Sequence, residues 1–206
     1  MACRADNAMN TFISQLMGRM TLEEKIGQLN LLPGGDIVTG KEMDSPLARL
    51  TAEGKLGAVL SLRDPVKIKA LQQIAVKKSR LGIPLLFGFD VIHGFQTVLP
   101  IPLAQACSWD TTAIRRGAEM AARECTSQGI DWVYSPMVDI ALDPRWGRIA
   151  EGSGEDPFLG SAIAKVMVEG LQGNSGPENP MACRKHYALY GAVEAGRDYN
   201  TVDMSH

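Results

Sequence analysis

Apolar and polar positions along the chain predict a repeating order of strands and helices. Continuous apolar runs at 57–62 and 83–90 flank an amphipathic stretch at 65–80, which opens with a proline suited to the first turn of a helix. The same order recurs downstream in four segments: a helix over 109–129, a strand over 130–140, a helix over 156–173 and a strand over 180–191. The pattern therefore predicts four strands that alternate with helices.

Two helices are predicted ahead of these repeats, within a helical and loop segment over residues 1–50. Thr21 and Glu24 form a capping box, because each can hydrogen-bond the backbone N–H of the other. The helix that follows has an apolar face formed by Leu22, Ile26 and Leu29. The helix before it has a comparable face formed by Phe12, Leu16 and Met20. We expect Met17 and Met20 to be core residues rather than ligands.

Alternating strands and helices of this length favour a parallel sheet, either doubly wound or closed as a (β/α)8 barrel. Composition does not choose between the two. Polar residues directly follow the apolar runs, namely Asp90, His93, Asp139, Lys185 and His186. Because strand ends converge on one mouth in a barrel, this placement favours the barrel. No glycine-rich phosphate motif follows any of the runs, so the nucleotide-binding doubly wound sheet has no support.

Composition excludes several classes of function. The chain of 206 residues has 21 basic and 23 acidic side chains, so its net charge of −2 does not favour nucleic acid as a partner. No apolar stretch is long enough to span a bilayer, and the N-terminus lacks the apolar core of a signal peptide. The sequence therefore predicts neither a membrane span nor an export signal within the chain.

The four cysteines, Cys3, Cys107, Cys125 and Cys183, are scattered and form no CxxC pair. This spacing indicates neither a zinc site nor a dense disulfide framework. Cys3 follows Met-Ala, and a processed lipoprotein leader is a second interpretation beside an ordinary N-terminal cysteine. We expect no metal and no cofactor.

Four of the polar side chains would together suit a polyhydroxylated ring: Asp90, Arg148, Lys185 and His186. A carboxylate accepts from two neighbouring hydroxyls, while guanidinium, ammonium and imidazole groups donate to others. Taken singly, each has an ordinary alternative as a cap, a turn former or a surface charge. The set therefore predicts a sugar-binding site only if the fold brings its members together.

Four long segments, in this order, resemble the signatures of glycoside hydrolase family 3: MTLEEKIGQL, GFDVIHGFQTVLPIPLAQACSWD, SPMVDIALDPRWGRIAEGSGEDPFLG and CRKHYALYGAVEAGRDYNTVDMS. Within the family, the chain is most similar to the bacterial periplasmic β-glucosidases. The resemblance implies a (β/α)8-type barrel, of which this chain is the N-terminal half, followed by an α/β sandwich domain. It also implies exo-acting release of terminal β-glucose with retention of configuration, and a periplasmic or secreted location.

By this resemblance, Asp90, Arg148, Lys185 and His186 bind the terminal glucose. Glu151 and Arg145 support them, and His93 is a structural neighbour of Asp90. The irregular segment at 143–157 would present Arg148 to the sugar, while its other charged side chains hold the segment together and Trp146 packs beneath it.

The resemblance places the catalytic residues outside this chain. Retaining hydrolysis needs two carboxyl groups roughly 5 to 5.5 Å apart. In the family the nucleophilic aspartate and the acid/base glutamate follow later, so we expect both beyond residue 206 and expect the isolated chain to be inactive. Asp139, Glu155 and Asp203 are interpreted as loop or cap residues.

The N-acetylglucosaminidase branch of the family has a KH-[FI]-PGHG loop that is missing here. This favours the β-glucosidase branch but leaves β-xylosidase and exo-glucanase activity open.

Two other hypotheses remain. The chain could be a non-catalytic fragment that binds sugar weakly, or that self-associates as a homo-oligomer through open sheet edges. It could also be a phosphate-binding parallel α/β enzyme, because Arg148 and Lys185 lie beside glycines, although no phosphate-cradling glycine loop precedes a helix.

Overall fold

The structure is a computed structural model that describes residues 7–34 and 46–205. These residues form two compact units, Met1–Phe87 and Gly88–His206. The described strands are β1 (Leu31–Pro33), β2 (Ala58–Leu60), β3 (Leu86–Phe89), β4 (Trp132–Val133) and β5 (Met181–Ala182). They follow the order β1-β2-β3-β4-β5 in the sheet. The pairs β1–β2, β3–β4 and β4–β5 are parallel, as the alternation of strands and helices predicts.

The described residues of the first unit form four helices: α1 (Asn7–Arg19), α2 (Leu22–Gln28), α3 (Pro46–Ala52) and α4 (Pro65–Lys78). The capping box at the start of α2 is confirmed, since Thr21 Oγ1 accepts from Glu24 N at 3.2 Å and Glu24 Oε2 accepts from Thr21 N at 2.9 Å. Asp64 caps α4 and Pro65 occupies its first turn. The Gln72 side chain on α4 then exchanges two hydrogen bonds with the backbone of Leu85, just before β3.

The prediction that Met17 is a core residue is wrong, because its side chain is 50% exposed, whereas Met20 is partly buried. Most apolar side chains on α1 and α2 are exposed as well. Phe12, Met17, Leu22 and Ile26 are all half exposed or more, and Leu29 is 86% exposed. Instead, α2 buries Glu24 and Gly27. A Cβ at Gly27 would lie 2.3 Å from the carbonyl oxygen of Gly54, so only glycine allows this close approach.

The sequence interpretation missed three short elements. Strand β1 pairs with β2 in the register Leu31↔Ala58, which makes five strands rather than four. Helix α3 lies inside the segment expected to be helix and loop, and helix α5 (Pro102–Cys107) lies between two predicted elements. These elements are too short to show a hydrophobic period, and the sequence has no capping box before α3 or α5 of the kind that identified the equally short α2.

The second unit is built around helices α6 (Thr111–Ser127) and α7 (Pro157–Gln172), both of which match predicted helices. Asp110 caps α6, and Asp156 caps α7 as expected. The two helices pack closely at Gly170, where a Cβ would lie 2.8 Å from the Cβ of Ala118. Buried Ile114 and Met167 belong to the core between them.

Strands β4 and β5 are much shorter than the apolar runs that predicted them. Each contains two residues, and the chain then continues as irregular backbone toward the polar side chains. Past the strands, Met137 forms an isolated parallel bridge with Lys185. The backbone bonds Val138 N to Lys185 O and Lys185 N to Pro136 O hold the two segments together at 2.7 and 3.0 Å.

Cys107, Cys125 and Cys183 form no disulfide with one another, whereas Cys3 lies outside the described residues. Within residues 7–34 and 46–205, each helix is too short or too polar to span a bilayer.

Candidate functional site

Polar side chains lie after the carboxyl ends of three neighbouring strands of the second unit. Asp90 directly follows β3, Asp139 lies beyond β4, and Lys185 and His186 lie beyond β5. The Met137–Lys185 bridge aligns the last two segments, so residues far apart in the chain become neighbours. This is the convergence that the polar residues after each apolar run predicted.

Asp90 and Lys185 form the first contact of the site. The Lys185 ammonium donates to Asp90 Oδ1 at 2.6 Å. The lysine side chain is largely buried, whereas half of the aspartate side chain is exposed. The pair therefore presents a carboxylate whose position is held by a charge.

Arg148 and Glu151 form the second contact, within the short 3-10 helix Gly147–Glu151. Arg148 Nε donates to Glu151 Oε1 at 2.7 Å and Nη2 donates to Oε2 at 2.8 Å. This bidentate bond lowers the pKa of Glu151 and raises that of Arg148, although partial burial opposes both shifts. Both groups are therefore ionised at neutral pH.

His186 connects Arg148 to a buried carboxylate. Its backbone N and ring Nδ1 both hydrogen-bond Asp139 Oδ2, at 3.0 and 2.9 Å. Its Nε2 lies 3.5 Å from Arg148 Nη1. The Asp139 side chain is only 1% exposed. Asp139 lies in irregular backbone beyond β4, as expected of a loop residue, and its described partner is the candidate site residue His186.

An aromatic support that sequence reasoning missed lies against these residues. The Tyr190 ring packs edge-on against His186, with ring centroids 4.6 Å apart, and the Arg148 guanidinium carbon is 5.3 Å from its centroid. The Tyr190 hydroxyl donates to Asp198 Oδ1 at 2.6 Å, and Trp146 Nε1 donates to the same oxygen at 2.9 Å. Trp146 is buried, so the prediction that it packs beneath the segment is confirmed.

Sequence spacing offered no direct signal for this support, since Trp146 and Asp198 are 52 positions apart. Asp139 had a weak signal, because it is a polar residue near the end of a predicted strand. Its burial was the missing information, and burial depends on the fold.

Two expected supporting residues contact other groups. Arg145 is largely exposed and forms an ion pair with Asp143, and this bond lowers the pKa of Asp143 to about 2. His93 Nδ1 lies 3.0 Å from the carbonyl oxygen of Leu99. The described contacts of both residues are therefore within their own loops. Within the two described ranges, no three His, Cys, Asp or Glu side chains are placed to hold a metal ion.

Several known proteins are similar to this chain. It is 40% identical to the periplasmic beta-glucosidase of Salmonella typhimurium over 203 residues, which cover 96% of this chain and 26% of that protein. It is 32% identical to the periplasmic beta-glucosidase/beta-xylosidase of Dickeya chrysanthemi, with 92% and 33% covered. The crystal structure of beta-glucosidase from Listeria innocua in complex with glucose matches with a TM-score of 0.85 and 43% identity, over 95% of this chain and 29% of that one.

The chain thus spans about a quarter to a third of the length of these relatives. Residues 21–206 match the glycosyl hydrolase family 3 N terminal domain. That domain is a (β/α)8 barrel, and the five parallel strands with their helices are a portion of it, as expected. The chain belongs to glycosyl hydrolase family 3.

Proposed function

We propose that this chain supplies the glucose-binding part of the active site of an exo-acting, retaining β-glucosidase. The observation that carries the proposal is the convergence of two ion pairs and one histidine beyond neighbouring strands. Asp90 pairs with Lys185, and Arg148 pairs with Glu151 and faces His186. Lys185 and His186 are consecutive in the chain, which joins the two parts of the site.

The donors and acceptors of this set match a sugar ring. A carboxylate accepts from vicinal hydroxyls, whereas the ammonium and guanidinium groups donate to hydroxyl oxygens. Each charged group is held by a partner of opposite charge, so little side-chain freedom is lost when a sugar binds. Ordered polar groups of this kind confer affinity and specificity for a polar ligand.

The same pairing supports a binding role rather than a bond-breaking role for the described carboxylates. Asp90, Asp139, Asp143 and Glu151 each form an ion pair or an equivalent bond with a basic side chain. A general acid needs a raised pKa, whereas the pKa values of Asp143 and Glu151 are lowered. This argues against Asp143 and Glu151 as the general acid. As the resemblance implies, we propose that the nucleophile and the acid/base residue lie outside these 206 residues.

The names of the relatives support β-glucose as the sugar. Both glucosidase and xylosidase names occur among them, so β-xylosidase is the second candidate activity. An exo-1,3/1,4-beta-glucanase from a Pseudoalteromonas species also matches, with a TM-score of 0.82 and 26% identity, and this keeps exo-glucanase open. Two of the named relatives are periplasmic, and we propose the same location for this protein.

Phosphate binding has less support than sugar binding, because Arg148 and Lys185 already pair with carboxylates that would repel an anion.

Self-association through the terminal strands β1 and β5 stays a prediction. Sedimentation of the purified chain tests it. A monomer contradicts pairing between sheet edges, and a dimer supports it.

Binding of D-glucose to the 15N-labelled chain, followed by NMR, tests the proposed site. We expect shifts at Lys185, His186 and the Trp146 indole, and weaker binding in the Asp90→Asn variant. Arg115→Ala is the matched control, because it removes an exposed arginine that pairs with Glu119 on α6. Equal affinity in the wild type and the Asp90→Asn variant would contradict the assignment of Asp90.

Hydrolysis of a nitrophenyl β-glucoside tests the division of roles. The 206-residue chain, purified from a host without β-glucosidase, should release no nitrophenol. A longer form that contains the downstream part of a family 3 enzyme should release it. Turnover by the chain alone would show that a nucleophile lies within it.

A further inference from the structure

We propose that Asp139 is a positioning residue that holds His186 in its Nδ1–H tautomer, so that Nε2 accepts a hydrogen bond from a sugar hydroxyl. The sugar part of this inference rests on the proposed function, whereas the tautomer does not. It reverses the direction expected from the sequence, where the imidazole was a donor. The groups that face each nitrogen of the ring determine which nitrogen carries the hydrogen.

The Nδ1 side of the ring faces an acceptor. Asp139 Oδ2 lies 2.9 Å from Nδ1 and 3.0 Å from the backbone N of the same residue. An ionised carboxylate has no proton to donate, so Nδ1 must carry the hydrogen. The backbone bond also fixes where the carboxylate lies, because a peptide N–H always donates.

The Nε2 side of the ring faces a donor. Arg148 Nη1 lies 3.5 Å from Nε2, which is long for a hydrogen bond but close enough to exclude two opposed hydrogens. A guanidinium group has only donors and carries a positive charge. A hydrogen on Nε2 would therefore point at a donor, so the geometry favours the tautomer with Nε2 unprotonated.

The orientation of the ring is constrained from a third side. Tyr190 packs edge-on against it at an interplanar angle of 84°, and Asp198 anchors the Tyr190 hydroxyl. A half-turn of the imidazole that preserves the ring plane would keep the packing but lose the bond between Nδ1 and Asp139, so the Asp139 bond sets which nitrogen faces which partner. Since 32% of the His186 side chain is exposed, a ligand can still reach it.

Long-range 1H–15N NMR of the labelled chain tests the tautomer directly. The His186 signals, assigned by their loss in His186→Gln, should show a protonated Nδ1 and an unprotonated Nε2 under mildly alkaline conditions. The reverse pattern would overturn the proposal. In Asp139→Ala the excess of the Nδ1–H tautomer should fall, because Arg148 alone then opposes a hydrogen on Nε2. A folded Asp139→Ala chain that keeps the wild-type tautomer would show that Asp139 has only a structural role.

The acceptor role is tested with monodeoxy and monofluoro analogues of D-glucose. The hydroxyl bound by His186 is the one whose removal costs affinity in the wild type but not in His186→Ala. At that position, replacing the hydroxyl by fluorine should lower the affinity as much as replacing it by hydrogen, about two- to tenfold, because fluorine cannot donate a hydrogen bond. A fluoro sugar that binds as well as glucose would overturn the acceptor role. Absence of any glucose binding would contradict the proposed function, while the NMR tautomer would still decide the role of Asp139.

Discussion

Two arginine–glutamate pairs, one in each compact unit, have the same chemistry and different surroundings. Arg80 holds Glu24 through two hydrogen bonds in the first unit, as Arg148 holds Glu151 in the second. Glu24 also caps α2, and Arg80 also donates to the carbonyl oxygen of Arg19. Every described bond of the first pair therefore joins elements of the fold.

The second pair is connected differently. Arg148 faces His186 and lies over the Tyr190 ring, and the pKa of its glutamate is lowered by the Arg148 bond and further by the charge of Lys185. An ion pair of this kind is connected to other polar groups rather than to backbone caps. The comparison shows that the neighbours of an ion pair, and not the pair itself, indicate a binding site.

Arg148→Ala should have the largest effect on sugar binding. Hydrogen bonds from charged groups contribute roughly 1.5 to 3 kcal/mol, so we expect about a tenfold to hundredfold loss of glucose affinity. In a full-length enzyme containing this segment, the same change should raise KM for an aryl glucoside and lower kcat. Arg148→Lys is the control that keeps the charge without the bidentate geometry. Unchanged affinity and kinetics would remove Arg148 from the site.

Arg80→Ala should instead destabilise the fold. Glu24 is buried, so removing its partner leaves an uncompensated carboxylate, and we expect the thermal midpoint to fall by a few degrees. Glucose affinity of the folded protein should not change. Arg49→Ala is the matched control, because its pair with Glu53 is exposed. Weaker glucose binding by folded Arg80→Ala would break the contrast between the two pairs.

Acid should weaken both pairs. Bonds from arginine lower the pKa of Glu24 and of Glu151 below the ordinary value of 4.5. Below about pH 4.5 the unfolded chain therefore binds more protons than the native chain. Each pair contributes fully to the free energy of unfolding above that pH, and the contribution is lost as the pH falls through the folded pKa. Glu24→Gln and Glu151→Gln should each make the free energy of unfolding, measured with urea, depend less steeply on pH in the acidic range. Curves parallel to that of the wild type would contradict the shifts.

Tyr190→Phe should have the smallest effect. It keeps the ring that packs against His186 and Arg148 but loses the bond to Asp198. We expect a roughly twofold loss of glucose affinity, the lower end for one hydrogen bond. Tyr190→Leu should lose more, because it also removes the ring. If Tyr190→Leu binds glucose like the wild type, the aromatic support does not act on the site.

The long helices α4, α6 and α7 were predictable because each spans several turns and has a recognisable cap. The short elements β1, α3 and α5 were not, because their residues are too few for a period to show. The exposed faces of α1 and α2 show a different limit. Apolar spacing identifies a helical face, but it does not say which face the rest of the fold covers.

The sequence by itself determined the order of strands and helices and the polar residues that follow the strands, since both depend on local periodicity and chain order. The tertiary structure alone decided which residues meet: Asp90 with Lys185, and Asp139 with His186. It also decided that Asp139 is buried and that Tyr190, Asp198 and Trp146 form one support. These properties depend on contacts between residues distant in the chain, and such contacts exist only once the segments have packed together.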